Sequence, residues 1–114
     1  MMAHRTPEET VKANIEAYNA RDVLAFAATY AEDAKFCKID GTVLLSGRAA
    51  IEGFHRQMFE SAPSAHCEIP QRIVMGPFVV DHEHITIDGR PDMHVMLISE
   101  VRDGLIVRAS YSPL

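Results

Sequence analysis

Three Asp-Gly pairs constrain the fold of this sequence more than any other feature. They are Asp40-Gly41, Asp88-Gly89 and Asp103-Gly104, and each separates two runs rich in apolar and β-branched residues. Asp-Gly favours the tight turns that join antiparallel strands, whereas parallel neighbours need long crossover connections. The second half of the chain is therefore predicted to form an antiparallel meander, whose strands cover residues 65–75, 78–87, 93–102 and 105–112.

Helix signals dominate the first half of the chain. Thr6-Pro7-Glu8-Glu9 combines a capping threonine, a proline suited to the first helical position and a glutamate three residues after the cap. In the helix that follows, Asn14 falls on the stripe of residues that should face the core. The other predicted elements are a second helix from Asp22 to Tyr30, a hairpin with arms at 35–39 and 42–45, and a third helix over residues 48–60.

These elements fit a single domain over residues 1–114. Helices followed by a meander give an α+β architecture, in which the helices cover one face of the sheet. The length of 114 residues and the 47% hydrophobic content are ordinary for one globular domain. A domain of this size buries only about two thirds of the surface that its unfolded chain exposes, so apolar surface is left over. We therefore expect a homodimer.

The composition excludes several classes of protein. The formal net charge is −5 and no segment concentrates Lys or Arg, so we expect no nucleic-acid partner. No apolar run approaches the ~20 residues needed to span a bilayer, and residues 1–9 contain no apolar signal segment. We expect no membrane partner and a cytoplasmic location. Cys37 and Cys67 lack disulfide density and metal-binding spacing, and both are expected to be reduced and buried.

Five local phrases occur in the order found in one known family. They are Tyr18-Asn19-Ala20-Arg21-Asp22, Tyr30-Ala31-Glu32-Asp33-Ala34, Gly47-Arg48-Ala49-Ala50-Ile51, Val80-Asp81-His82-Glu83 and Val101-Arg102-Asp103-Gly104-Leu105-Ile106. Together they resemble the SnoaL-like branch of the nuclear transport factor 2-like superfamily along nearly the whole chain. The resemblance implies three helices packed on a curved, mostly antiparallel sheet that forms a cone around an apolar pocket. It also implies a dimer formed through the outer face of the sheet.

The resemblance does not fix the chemistry, because the superfamily includes ketosteroid isomerase, polyketide cyclases, limonene epoxide hydrolase, dehydratases and non-enzymatic binding proteins. The base, the oxyanion tyrosine and the protonated aspartic acid of ketosteroid isomerase fall near Lys38, Asn14 and Leu97. That isomerase mechanism is therefore not expected here. One pocket aspartate of limonene epoxide hydrolase falls near Asp81, and its aspartate in the last strand falls on Tyr111. The comparison implies that Asp81 faces the pocket.

Two carboxyl groups on the predicted strand 78–87 are the candidate catalytic groups. If their face of the strand lines the pocket, desolvation and mutual repulsion raise the pKa of at least one of them, so Asp81 and Glu83 become candidate acids or bases. The alternatives are a solvent-facing stripe of acids, or inward acids that only pair with Arg72 or Arg108. Alternation places four residues on this face: Val79, Asp81, Glu83 and Ile85.

Three histidines lie on the opposite face. His82 and His84 alternate with the acids, and pairing across the turn would bring His94 diagonally beside His84. We expect a solvated or dimer-interface cluster and no metal site, because structural zinc usually has four well-placed ligands. A register shift of one residue would instead turn these histidines toward the pocket and make His82 the proton-transfer candidate.

The remaining candidates are residues that would bind a ligand in the pocket: Asn14, Tyr18, Lys38, Leu97 and Tyr111. Buried polar groups need hydrogen-bond partners, so the side-chain amide of Asn14 and the hydroxyl groups of Tyr18 and Tyr111 could equally form hydrogen bonds with the backbone. Within an apolar cavity, Lys38 would pair with Asp81 or Glu83 or have a lowered pKa. The alternative is a lysine whose side chain extends out of the cavity mouth.

Two functions remain open at this point. The first is a cofactor-independent enzyme that performs acid–base chemistry, such as isomerisation, cyclisation or dehydration, on a small carbonyl or polyketide-like compound. The second is a non-catalytic module that binds a small apolar molecule, or a dimeric interaction module of the same fold. No phosphate loop, nucleophile elbow or metalloprotease motif supports another class.

Overall fold

The structure is a computed structural model that describes residues 4–114. Residues 1–3, which belong to the predicted domain and to the segment 1–9 considered above for a signal peptide, lie outside the described residues. Its helices are α1 (Pro7–Ala20), α2 (Val23–Ala27) and α3 (Arg48–Ser61). Its strands are β1 (Tyr30–Lys38), β2 (Val43–Ser46), β3 (His66–Met75), β4 (Phe78–Thr86), β5 (Met93–Arg102) and β6 (Leu105–Pro113).

The six strands form one sheet in the order β2-β1-β6-β5-β4-β3. Neighbours are antiparallel except for β1 and β6, which run parallel. That parallel pair is possible because α3 and the rest of the meander separate the two strands along the chain. All three helices pack against this sheet or against one another. The predicted α+β architecture, with helices on a mostly antiparallel sheet, is confirmed.

The Asp-Gly turns join strands as predicted. Gly89, between β4 and β5, has φ 78°, a left-handed conformation that glycine adopts without strain. At the β5–β6 turn both Asp103 and Gly104 have positive φ, 52° and 76°, as a type I′ hairpin turn requires. The turn residues therefore fix the register of the meander.

Helix α1 begins at its predicted capping box. The Thr6 hydroxyl accepts a hydrogen bond from the Glu9 backbone N–H at 3.2 Å, and the Glu9 carboxylate accepts one from the Thr6 backbone N–H at 2.8 Å. Two backbone donors that the helix itself leaves without partners are satisfied in this way. The core-facing side of α1 buries Asn14, which is 4% exposed.

Helix α2 is shorter than the sequence pattern predicts. Asp22 caps it as expected, accepting a hydrogen bond from the Ala25 backbone N–H at 3.0 Å, but the helix ends at Ala27. Tyr30, predicted as its last turn, is instead the first residue of β1 and pairs with Ile106 on β6. A buried aromatic side chain suits the start of a strand as well as a helix, and the sheet pairing decides between them.

The hydrophobic core lies between the helices and the sheet. Val11, Ile51, Val79 and Ile106 are at most 1% exposed there. Cys37 and Cys67 are both buried and free. Within residues 4–114, no helix is long and apolar enough to cross a membrane.

Asn19, near the end of α1, fixes this helix to β3. Its side-chain amide donates to the Cys67 carbonyl oxygen at 2.9 Å, and its carbonyl oxygen accepts from the Cys67 backbone N–H at 2.8 Å. Because β3 is an edge strand, Cys67 has no further strand to pair with on this side, and the Asn19 side chain makes both backbone hydrogen bonds instead. The contact also sets the position of the Cys67 side chain at the cavity described below.

Replacing Asn19 tests this contact. We expect Asn19→Ala to lower the free energy of unfolding by about 1–3 kcal/mol, because two partly buried backbone groups of Cys67 lose their partner. Urea denaturation followed by circular dichroism measures the change. Gln57→Ala, which truncates an exposed amide on α3, is the matched control and should change stability by under about 0.5 kcal/mol. Equal effects of the two substitutions would contradict the role of Asn19.

Candidate functional site

A cavity of about 190 Å³ lies between the helices and the inner face of the sheet. Much of its wall is apolar and aromatic, with Phe26 and Phe54 on the helices and Phe36 and Leu97 on the strands. The polar residues in the wall are Asn14, Tyr18, Tyr30, His55, Glu83 and Tyr111. A concave, mostly apolar site with a few polar groups is typical of a small-molecule binding site.

Within the described part of the chain, Glu83 is the one acidic residue that lines the cavity. It lies on β4, is 9% exposed, and shares the inward face with Val79 and Asp81. Burial, and then the negative charge of Asp81, raises the pKa of Glu83 from its usual 4.5 to about 7, although the Cys67 thiol and Arg72 act in the opposite direction. The carboxyl group therefore takes up and releases a proton near neutral pH.

Asp81 has a different environment. Arg72, directly across from it on β3, binds both of its carboxylate oxygens, with Nε at 2.7 Å and Nη2 at 2.9 Å. The Asp81 side chain is 1% exposed and that of Arg72 is 17% exposed, so the pair is shielded from water. Asp81 faces inward as predicted but does not line the cavity. Its oxygens are engaged by a cation, which is the structural alternative that the sequence left open.

Cys67, on β3, lies close to Glu83. Its thiol lies in the cavity wall, and burial, together with the nearby carboxylates of Glu83 and Asp81, raises the pKa of the thiol. A thiol that stays protonated is a poor nucleophile. It donates a long hydrogen bond to the Glu68 carbonyl oxygen at 3.8 Å, and its proximity to Glu83 acts to lower the pKa of that carboxyl group.

Asn14, Tyr18 and Tyr111 all line the cavity, as does Leu97. The Asn14 amide donates to the Thr29 hydroxyl at 2.9 Å, and that hydroxyl donates to the Phe26 carbonyl oxygen at 2.7 Å, so Asn14 is held in place. Burial raises the pKa of Tyr18 to about 12, which keeps its hydroxyl protonated at neutral pH. These residues are placed where they would contact a ligand.

Lys38 is not part of the cavity wall. It occupies the last position of β1, across from Tyr111 on β6, and its side chain is exposed. The prediction that Lys38 binds a ligand in the pocket is therefore corrected, and its side chain extends into solvent, which is the alternative that the sequence left open. Burying the ammonium group would cost free energy, whereas a long side chain at the end of a strand can extend and keep that group in water.

The three histidines lie on the outer face of the sheet. His94 is directly opposite His84, not diagonal to it, and the two rings stack with centroids 4.5 Å apart. His82 Nε2 is 2.7 Å from His94 Nδ1, and His84 Nε2 is 2.9 Å from an Asp92 carboxylate oxygen. None of the three lines the cavity, so the alternative register is excluded. Among residues 4–114, no group of three potential ligands has a geometry suited to a metal.

His55, to which the sequence pattern assigns no role, also lines the cavity. It lies on α3, is 6% exposed, and its Nδ1 lies 2.7 Å from the Ile51 carbonyl oxygen one turn earlier. Burial lowers the pKa of its imidazole. Its helical spacing from Ile51 marks it as core-facing, but the sequence alone does not show that the core here surrounds a cavity.

Comparison with known proteins identifies the family. The SnoaL-like domain model matches residues 11–109, and the chain belongs to this family. A solved structure with a similar fold is an uncharacterised cystatin-fold protein from Novosphingobium aromaticivorans, which is 27% identical with a TM-score of 0.87, covering 95% of this chain and 98% of that one. No curated protein matches the sequence significantly.

Two further solved structures carry names that mention a reaction. IdmH, a candidate polyketide cyclase from Streptomyces antibioticus, is 20% identical with a TM-score of 0.78, covering 96% of this chain and 92% of that one. A candidate ketosteroid isomerase from Kribbella flavida is 21% identical with a TM-score of 0.80, covering 95% of this chain and 77% of that one. At these identities the likeness shows the fold alone.

The raised pKa of Glu83 makes stability depend on pH. Glu83 holds its proton more tightly in the folded protein than in the unfolded chain. Its stabilising contribution to the free energy of unfolding is therefore fully present below pH 4.5 and is lost as pH rises through about 7. We expect Glu83→Gln to match the wild type near pH 4 and to be more stable at pH 8.5 by up to about 3 kcal/mol. Chemical denaturation across this pH range measures the difference.

Glu60→Gln, at an exposed position of α3, is the control and should show no such trend. If Glu83→Gln changed stability by the same amount at every pH, the Glu83 carboxyl group would not be the buried titrating group described above.

Proposed function

We propose that this SnoaL-like protein is a cofactor-independent acid–base enzyme, in which Glu83 transfers a proton on a small, uncharged carbonyl or polyketide-like compound. The observation that carries the proposal is a carboxyl group in an apolar cavity wall whose pKa lies near 7. A general base is most effective when its pKa lies near the working pH. Structural neighbours named as a candidate cyclase and a candidate isomerase agree with this class of chemistry.

The reaction needs only groups that line the cavity. Glu83, as the carboxylate, removes a proton from the carbon beside the ligand's carbonyl group, and the electrons of that C–H bond move to the carbonyl oxygen to form an enolate. Tyr18 and Tyr111 lie in the wall and supply hydroxyl groups that donate to this oxygen. Glu83, now the carboxylic acid, returns its proton to carbon and completes an isomerisation or assists a ring closure.

The ion pair between Arg72 and Asp81 supports this role of Glu83. Arg72 binds both carboxylate oxygens of Asp81 through Nε and Nη2, while the Asp81 charge still raises the Glu83 pKa. Without Arg72, two carboxylates would compete for one proton in the same wall. In this proposal, proton transfer therefore belongs to Glu83, and the role of Asp81 is electrostatic.

Proton exchange into ketones tests the proposal. With a panel of uncharged aryl and cyclic ketones in D2O, we expect the protein to catalyse deuterium incorporation beside the carbonyl group, followed by proton NMR. The rate should rise with pH and level off above about 7, where Glu83 is ionised. Glu83→Gln should slow exchange by about 100-fold or more, and Glu60→Gln should leave it unchanged.

The non-catalytic alternative gives a different result. A binding module of the same fold would bind members of the panel without any exchange above the rate in buffer. Carbon-13 NMR of labelled glutamate side chains gives an independent reading, because an acid–base Glu83 titrates near 7 and responds to ligand. A Glu83 that titrates like exposed glutamates, with no exchange, would overturn the enzyme proposal.

We also propose that a second copy of the chain packs on the outer face of the sheet. Ile73, Val80 and Ile98 lie side by side there on β3, β4 and β5, and Ile73 is 56% exposed. A contiguous apolar strip on a sheet face is typical of a subunit interface. The two copies would bury the same strip against each other, as twofold symmetry requires.

Light scattering coupled to size-exclusion chromatography tests the dimer. We expect the wild type to elute with twice the chain mass and Ile73→Lys to shift toward the monomer, because a buried lysine ammonium would lose its hydration. Leu24→Lys, at a 67% exposed apolar position on α2, should leave the dimer intact. A monomeric wild type at high micromolar concentration would refute this interface.

A further inference from the structure

Of the two ring nitrogens of His55, Nδ1 has a hydrogen-bond partner within the described residues and Nε2 has none. Nδ1 lies 2.7 Å from the Ile51 carbonyl oxygen, and a carbonyl oxygen only accepts hydrogen bonds. Nδ1 must therefore carry the hydrogen. In a neutral imidazole the other nitrogen, Nε2, then bears a lone pair and can only accept. Within residues 4–114, no side chain or backbone group donates to Nε2.

The ring of His55 is held in a fixed orientation. Phe26 lies 4.4 Å away between ring centroids, Phe54 lies 5.2 Å away and Phe36 lies 6.1 Å away, the last two edge-on. Because Nδ1 points back along α3, Nε2 points away from its own helix, and the residue lines the cavity. A ligand that covers Nε2 without donating a hydrogen bond to it would leave this acceptor unpaired, which costs free energy.

The burial of His55 also determines its charge. Desolvation in the aromatic surroundings lowers the pKa of the imidazole, so the ring stays neutral at physiological pH. The acceptor on the helix side of the cavity is therefore permanent, whereas Glu83 on the sheet side changes between acid and carboxylate. The two walls offer a ligand different hydrogen-bonding partners.

We infer that His55 Nε2 accepts a hydrogen bond from a hydroxyl group of the bound ligand, and that the ligands of this cavity are uncharged ring compounds with a phenolic or enolic hydroxyl. A carbonyl or ether oxygen at this point would face a lone pair and leave Nε2 without a partner. A carboxylate or ammonium group would lose its hydration in an apolar wall. The inference deepens the proposed function, because it rests on the same cavity and gives the class of its substrate.

The role of His55 is one of binding and selection, and proton transfer remains with Glu83. A hydroxyl held on the helix wall orients the ring of the ligand, so that a carbonyl group elsewhere on that ring faces the sheet and Glu83. Such a site discriminates strongly against analogues that lack the donor, since the buried acceptor is then left unpaired. Hydroxyaryl ketones meet both requirements in one small molecule.

The test uses 4-hydroxyacetophenone and its partner 4-methoxyacetophenone, which has the same ketone but no hydroxyl donor. Isothermal titration calorimetry with the wild-type protein should show at least about tenfold tighter binding of the hydroxyl compound. His55→Phe, which keeps an aromatic ring but removes the acceptor, should abolish this preference. His66→Phe, at an exposed position of β3, is the matched control and should keep it.

Nitrogen-15 NMR of the imidazole side chains gives a second measurement that needs no variant. In the free protein, His55 should show the Nδ1–H tautomer, and 4-hydroxyacetophenone, but not 4-methoxyacetophenone, should shift the Nε2 resonance in the direction of hydrogen bonding. Equal affinity for the two ketones, no binding of either, or an unmoved Nε2 resonance would overturn the inference.

The two proposals fail separately. If 4-hydroxyacetophenone binds in a His55-dependent manner while Glu83→Gln leaves proton exchange unaffected, the assignment of His55 holds and the enzymatic proposal fails. If Glu83-dependent exchange is found but His55→Phe keeps the preference for the hydroxyl compound, the enzymatic proposal holds and the assignment of His55 fails.

Discussion

Two carboxyl groups on one buried strand face, with a single arginine to neutralise them, are the constraint on which the site depends. Asp81 and Glu83 are two residues apart on β4, so both side chains point inward. The register between β3 and β4 places Arg72 opposite Asp81 and not opposite Glu83. A second ionised carboxylate in the same wall would be both desolvated and repelled. Glu83 therefore holds its proton up to about neutral pH, and the asymmetry of the pair follows from the strand register.

The rest of the cavity is suited to that neutral state. Its wall is largely aromatic and aliphatic, its histidine is uncharged, and Lys38 extends into solvent. Among residues 4–114, Glu83 is the one cavity-lining residue whose side chain carries a charge at neutral pH. A site of this kind favours an uncharged ligand and draws its specificity from a few hydrogen bonds, each of which matters more because the surrounding wall is largely apolar. Asn14 and His55 are held by contacts to the protein itself, so they are oriented before a ligand binds.

Family membership and mechanism have different physical origins in this protein. The SnoaL-like fold follows from the helix caps, the Asp-Gly turns and the apolar faces of the strands, and it tolerates many changes in the cavity. Near the positions that correspond to the ketosteroid isomerase site, this chain has Lys38, Asn14 and Leu97, and only the last two line its cavity. Its titrating carboxyl group comes instead from β4. The same fold thus holds its titrating carboxyl group on a different strand.

The sequence by itself determined the elements and the faces of the strands. Capping residues set the starts of α1 and α2, Asp-Gly pairs set the turns, and alternation along β4 separated Asp81 and Glu83 from His82 and His84, because these are local properties of the backbone. Only the tertiary structure decided that Tyr30 begins a strand, that Arg72 pairs with Asp81, that Lys38 leaves the cavity and that His55 lines it. Each of these depends on which segments meet across the sheet and on how much water remains between them, and neither quantity is encoded in any short stretch of the chain.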